Sequence, residues 1–172
     1  MNPIINIILN DGKEIKIELM PEYAPISVAN FLDLVEKKFY DGVIFHRIIE
    51  NFMIQTGGYY IENNTLMEKE EVKPIRGEFS LNGVHNELKH TAGTISMART
   101  SDMNSASSQF FICSVDCPHL DNSYAAFGRT VDEESLKNVI AVSKVQTGML
   151  SYAFANFPYE PIFIKTIEII QK

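Results

Sequence analysis

Cysteine is scarce in this chain of 172 residues. Only Cys113 and Cys117 occur, too few for a disulfide scaffold and at a spacing that fits neither a CxxC redox motif nor a zinc half-site. Positive charge is also short: 15 Lys and Arg stand against 22 Asp and Glu, for a formal net charge of −7, and no basic patch offsets the deficit. Such a surface repels a phosphate backbone, so nucleic acid is not an expected partner. No apolar run approaches the roughly 20 residues that cross a bilayer, so no membrane partner is expected. The first apolar stretch is broken at Asn6 and stopped by Asn10-Asp11-Gly12, without a basic leader or a small-residue cleavage site, and a cytoplasmic protein is expected. Internal repeats and low-complexity linkers are missing too, and the acidic stretch 62–71 is too short to separate domains. One domain covering 1–172 is therefore expected, with a hydrophobic fraction of 45% ample for one core. A monomer is expected as well, since no heptad pattern is present.

Short β-rich runs make up much of the rest. Residues 3–9 and 14–19 read as a hairpin, the second run alternating Glu14, Ile15, Lys16, Ile17, Glu18, Leu19 so that one face is wet. Ser27 is a candidate N-cap for a helix with Val28, Phe31, Leu32 and Val35 on its apolar side, ending near 37–40 before Gly42. Residues 59–72 are polar, without an apolar period, and read as a surface loop. Strand-like composition returns at 74–79, 94–98 and 109–115, separated by Asn82-Gly83 and by the polar loop 100–108. A second helix is expected over 133–143, capped by Asp132, with Leu136, Val139, Ile140 and Val142 apolar, and a last strand over 162–170. Many strands with two widely separated helices argue for an antiparallel sheet closed or nearly closed on itself.

The stretch Phe45-His46-Arg47-Ile48-Ile49-Glu50-Asn51-Phe52-Met53-Ile54-Gln55-Thr56-Gly57-Gly58 carries the chemistry. Two apolar runs flank a Glu50-Asn51 turn, and strict alternation would send Phe45, Arg47 and Ile49 to one face. An arginine among apolar neighbours is costly to bury unpaired, so Arg47 must meet a carboxylate, a carbonyl or a ligand. A peptide is a ligand rich in carbonyls. Taken singly, Phe52, Met53, Phe111 and Leu120 read as core, Arg47 as a surface ion pair, and Gln55 and Gln109 as solvated strand residues. His46 reads as a structural histidine satisfied by backbone, and Cys113 as a core residue.

Phe45-His46-Arg47-Ile48-Ile49, then Phe52-Met53-Ile54-Gln55 and Gly57-Gly58, resembles the signature of cyclophilin-type peptidyl-prolyl isomerases. Ser96-Met97-Ala98-Arg99, Ser108-Gln109-Phe110-Phe111-Ile112-Cys113, Leu120-Asp121 and Ala126-Phe127-Gly128 follow in the same order, and Met97-Ala98-Arg99-Thr100 is similar to bacterial members. The resemblance covers nearly the whole chain. It implies a mainly β fold, a closed eight-stranded antiparallel barrel capped by two helices, acting without a cofactor or metal on X-Pro bonds in unfolded or flexible proteins and so assisting folding. It further implies that Arg47 and Gln55 are catalytic, that Phe52, Met53, Phe111 and Leu120 form the proline pocket, and that Gln109 with the backbone around Ala98 and Arg99 binds the residues before proline. Three positions depart from the common eukaryotic pattern: His119 stands where a tryptophan binds cyclosporin, Tyr124 where a histidine is frequent, and Arg99 where asparagine is frequent. Loss of the indole N–H and its large apolar face implies weak cyclosporin binding.

The competing readings are a proline-peptide binding module or holdase, which needs the apolar pocket but not Arg47, and a small-molecule barrel, which suits the motif less well. A hydrolase built on Ser107 or Ser108 with His119 or His90 lacks a GxSxG elbow. A metal site at Cys113, Cys117 and His119 has little beyond proximity in sequence to support it.

Overall fold

The computed structural model describes residues 1–172. Asn10 to Lys13 close the opening hairpin of β1 (Ile4–Leu9) and β2 (Glu14–Leu19), with Gly12 in the left-handed region at φ 92°. Alternation in β2 buries Ile15, Ile17 and Leu19 and leaves Glu14, Lys16 and Glu18 on the wetter side. The chain continues through α1 (Pro25–Glu36), β3 (Val43–Ile49), β4 (Met53–Glu62), β5 (Thr65–Glu68), β6 (Thr94–Met97), β7 (Phe110–Cys113), β8 (Ala126–Thr130), α2 (Glu133–Ser143), the two-residue strands β9 (Thr147–Gly148) and β10 (Phe157–Pro158), and β11 (Ile164–Gln171).

The main sheet runs β11-β1-β2-β8-β6-β7-β4-β3, with β5 added beside β4. It is antiparallel throughout and curls until its edge strands meet. The edges join at a single bridge, Ile44 to Phe163, with Phe45 N–H donating to Ile162 O at 2.8 Å and Gly42 N–H to Ile164 O at 2.7 Å. The expected eight-stranded barrel is thus the fold, closed at that seam by a few bonds and not by a full ladder. Inside it, Phe31 of α1 meets Phe110 edge-on at 5.3 Å and Phe127 at 5.4 Å, and the Tyr40 hydroxyl donates to Ser108 O at 2.8 Å.

Helix α2 has the expected bounds, and the Asp132 carboxylate accepts from Ser135 N–H at 2.8 Å. Helix α1 differs from expectation. It begins at Pro25 after Ala24, and Ser27 is not its cap. Its first N–H groups are satisfied from across the molecule by buried Glu78, whose carboxylate accepts from Ile26 N–H at 3.1 Å, Ser27 N–H at 2.6 Å and Ser27 Oγ at 2.7 Å. The expected loop 59–72 is partly a hairpin: β4 runs on to Glu62 and turns through Asn63 and Asn64, both left-handed at φ 51° and 61°, into β5. Two Asn residues tolerate the positive φ that a tight turn between twisted strands requires. The expected strand at 74–79 forms no ladder. Its donors go to the polar loop, Ile75 N–H to Ala106 O and Gly77 N–H to Asn104 Oδ1.

Candidate active site

The β3–β4 hairpin turns through Glu50 and Asn51, the latter at φ 61°, as its sequence suggests. Its register does not keep strict alternation. Phe45 pairs with Thr56 and Arg47 with Gln55, so one extra residue on β3 forms a bulge. The bulge reverses the facing of the strand: Phe45 and Ile48 are buried while Arg47 is exposed. The expectation that Phe45, Arg47 and Ile49 share a face is therefore corrected for Phe45, which enters the barrel, while Arg47 and Ile49 both border the outer cluster, and the cost of burying the arginine is avoided.

Strand β7 explains why its sequence is apolar at every position. Phe110 and Ile112 fill the barrel, while Phe111 and Cys113 face outward into a second cluster with Met53, Cys117 and Leu120. The 3₁₀ turn Pro118–Leu120 contributes Leu120 to this outer cluster, and Tyr124 packs edge-on against Phe111 at 5.8 Å. A cavity of about 240 Å³ opens over this cluster, lined by Arg47, Phe52, Met53, Gln55, Ala98, Arg99, Phe111, Leu120 and Tyr124. Gln109 joins by a relay in which Arg47 Nη1 donates to Gln55 Oε1 at 3.3 Å and Gln55 Nε2 donates to Gln109 Oε1 at 2.9 Å. The relay needs both glycines of the motif: a Cβ on Gly58 would lie 2.6 Å from Gln109 Nε2, and one on Gly57 would lie 2.5 Å from Ser108 O. His119 is exposed, with its ring centroid 5.5 Å from that of Phe52 at the rim.

The two arginines at the cavity differ in what they offer. Arg99 donates from Nε and Nη2 to Ser123 O at 3.2 and 2.6 Å and from Nη1 to Thr100 O at 2.9 Å. Its guanidinium also lies over the Phe79 and Tyr124 rings at 4.8 and 4.6 Å, so it is committed to the wall. Arg47 makes one bond, to Gln55, and a guanidinium carries five N–H groups.

Beneath Phe111 lies a polar row that sequence reading missed. His90 stacks on Phe111 at 6.1 Å and 16°, its Nε2 is 2.9 Å from Ser96 Oγ, and its Nδ1 is 3.0 Å from Asp121 Oδ1. Ser96 and His90 are buried, so this Ser, His, Asp arrangement faces no substrate and braces the cavity floor. Burial holds His90 below its usual pKa even though the Asp121 hydrogen bond and charge work against that. The hydrolase candidates Ser107 and Ser108 are not in this row; Ser108 Oγ donates to Gly57 O at 2.8 Å.

His46 is structural, but the expected backbone partner is absent: its Nδ1 is buried without a hydrogen bond. The ring sits edge-on against Tyr59 at 4.8 Å and Phe154 at 6.2 Å. Burial first, and then the adjacent Arg47 charge, lower its pKa to about 4, with the neighbouring Gln109 amide opposing them. The folded state thus disfavours the proton that the unfolded chain takes up near 6.5. The associated stability is complete above pH 6.5 and is lost as pH falls through about 4, a contribution of roughly 3 kcal/mol at about 1.4 kcal/mol per pH unit. His46→Phe should therefore have a shallower fall in unfolding free energy than the native chain between pH 6.5 and 4, measured by denaturant titration; parallel curves would refute this assignment.

An apolar cavity with a little-committed guanidinium at its mouth and side-chain amides along one edge suits a ring whose attached backbone is polar. The family model for cyclophilin type peptidyl-prolyl cis-trans isomerase/CLD matches residues 4–169, and the chain belongs to that family. Peptidyl-prolyl cis-trans isomerase A of Dickeya dadantii is 37% identical over 171 residues, covering 96% of this chain and 84% of the relative. A peptidyl-prolyl cis-trans isomerase of Acinetobacter baylyi is 41% identical over 174 residues, covering 98% and 86%. Among solved structures, a Cryptosporidium parvum cyclophilin type isomerase superposes with a TM-score of 0.78 at 27% identity, covering 100% of this chain and 99% of that one. The same protein in the presence of the dipeptide Ala-Pro gives 0.77 at 28% identity, covering 98% and 99%. The activity that accompanies membership is cis-trans isomerisation of X-Pro bonds.

Proposed function

We propose that this chain seats the proline of an unfolded or flexible polypeptide in its outer cavity and that Arg47 is the group that lowers the rotational barrier. The reaction breaks no bond to a heavy atom. An X-Pro bond resists rotation by about 18–20 kcal/mol because the nitrogen lone pair is shared with the carbonyl. When the bond twists, that pair localises on nitrogen, and a fixed donor aimed there stabilises the transition state more than either planar ground state. The observation that carries the reading is the contrast between the arginines: Arg99 is spent on the wall, while Arg47 retains N–H groups at the mouth of the proline-sized cavity.

In this reading Phe52, Met53, Phe111 and Leu120 receive the ring, with no donor among them to compete for the prolyl nitrogen. Gln55 holds the guanidinium on one side and hands its own amide to Gln109, so the backbone before proline meets amides already oriented. Ala98 and Arg99 border the same side, and Tyr124 closes the floor. Assistance to protein folding follows, because prolyl exchange takes tens of seconds uncatalysed. The composition supports a cytoplasmic monomer, and no helix is long and apolar enough to cross a membrane. A protease-coupled or NMR exchange assay on a short Ala-Pro-Phe peptide should show acceleration by the folded native chain; none would overturn the proposal.

The same geometry bears on inhibitor choice. With His119 exposed at the rim in place of an indole, cyclosporin should bind weakly, with a dissociation constant above about 1 μM, equivalent to a binding free energy weaker than about −8 kcal/mol. Submicromolar binding in a calorimetric titration would refute this.

A further inference from the structure

Residues 147–159, from Thr147 to Tyr159, contain no charged side chain in a chain where 22% of residues are charged. They form the hairpin that begins at β9 and ends at β10. Its apolar residues include an inward group and an exposed tip, with Tyr159, also exposed, lying against Gly148 at the hairpin's end. Phe154 turns inward, meeting Tyr59 edge-on at 5.0 Å and Phe157 at 6.0 Å, and Pro158 is buried. At the tip, Met149, Leu150 and Tyr152 are 70%, 56% and 97% exposed. The fold makes little use of these three side chains, yet the tip that carries them is hydrogen-bonded, with Leu150 N–H donating to Phe154 O at 2.9 Å and Phe154 N–H to Ser151 O at 3.0 Å. Exposed apolar side chains gathered on one element mark an interaction surface more often than scattered ones do.

The hairpin is built onto the same strand as Arg47. Ile48 N–H donates to Asn156 O at 3.0 Å, and the His46 ring, one residue before Arg47, is covered by Phe154. The hairpin that carries the tip is thus fixed to the residues on either side of Arg47.

We propose that Met149, Leu150 and Tyr152 form a secondary docking surface for apolar side chains of the same unfolded client whose proline occupies the cavity. The inference rests on the isomerase reading above and adds a preference for long, apolar-flanked segments. Lack of charge in the hairpin disfavours an ionic partner. Three side chains present on the order of a few hundred Å², well below the roughly 800 Å² per subunit of a stable dimer, which disfavours a second copy.

Turnover is compared on Ala-Ala-Pro-Phe and on a 20-residue peptide with the same centre flanked on both sides by Leu and Phe, for the native chain and for M149S/L150S/Y152S. The native chain should favour the long peptide in kcat/KM by about tenfold, as burial of one or two apolar side chains would give, and the variant should lose that advantage while retaining short-peptide turnover. Unchanged preference in the variant, or an equal loss on both peptides, would overturn the assignment. So would a concentration-dependent dimer of the native chain that the variant abolishes in sedimentation. No turnover of either peptide by the native chain would instead overturn the isomerase reading on which the inference rests.

Discussion

Arg47→Ala should lower kcat/KM on an Ala-Pro-Phe peptide by about a hundred- to a thousandfold, the range seen when one preorganised donor to a developing charge is removed. That corresponds to about 3–4 kcal/mol of transition-state stabilisation. Peptide affinity should change by no more than about threefold, because ring burial against Phe52, Met53, Phe111 and Leu120 is untouched and ground-state binding asks little of a donor at a planar nitrogen. The relay makes the expectation sharper. Gln55→Ala removes the acceptor that steadies the guanidinium, so it should reduce the rate by a smaller factor than Arg47→Ala, and its effect should largely vanish in the Arg47→Ala background. Single-turnover exchange kinetics with a parallel binding titration separate rate from affinity. An Arg47→Ala protein with native turnover would defeat the mechanism, and a parallel loss of binding would make Arg47 a ligand-holding group.

Glu78→Ala should cost about 3 kcal/mol of stability, because it leaves two backbone N–H groups of α1 and the buried Ser27 hydroxyl without their acceptor. For a domain of this size that is a fall in melting temperature of roughly 10 °C. Ser27→Ala should cost much less, since it removes one donor together with its need for a partner and leaves Glu78 bonded to the two backbone groups. Calorimetry of the two variants would decide the order; a Ser27→Ala loss equal to that of Glu78→Ala would mean the hydroxyl, and not the carboxylate, governs the helix start.

Glu78 shows where reading the chain in order fails. Ser27 sits in a position where a serine commonly caps a helix, and nothing nearby in sequence contradicts it, but the carboxylate 51 residues later takes that task. The row of His90, Ser96 and Asp121 is of the same kind: Asp121 is 31 residues from His90, and no short-range pattern links them. The bulge in β3 is subtler. Alternation fails twice along the strand, between Val43 and Phe45 and again between Phe45 and Arg47, where an inserted residue turns the arginine from core to solvent. By contrast, Asp132 at the start of α2 and the turns at Gly12 and Asn51 were legible because each is decided within a few residues.

The amino-acid sequence by itself determined the periodicities that make strands and helices, the turns that local backbone preference allows, and the ordered motifs that mark the family, since these depend on neighbours within a few bonds. Only the tertiary structure decided which of two arginines keeps free donors, because the partners that occupy Arg99 arrive from Ser123, Tyr124 and Phe79. It likewise decided that β7 is apolar on both faces because Leu120 and Tyr124 cover its outer side. Hydrogen-bond donors and apolar surface are satisfied by whatever packs against them in space, and a curled antiparallel sheet brings together residues that the chain keeps far apart.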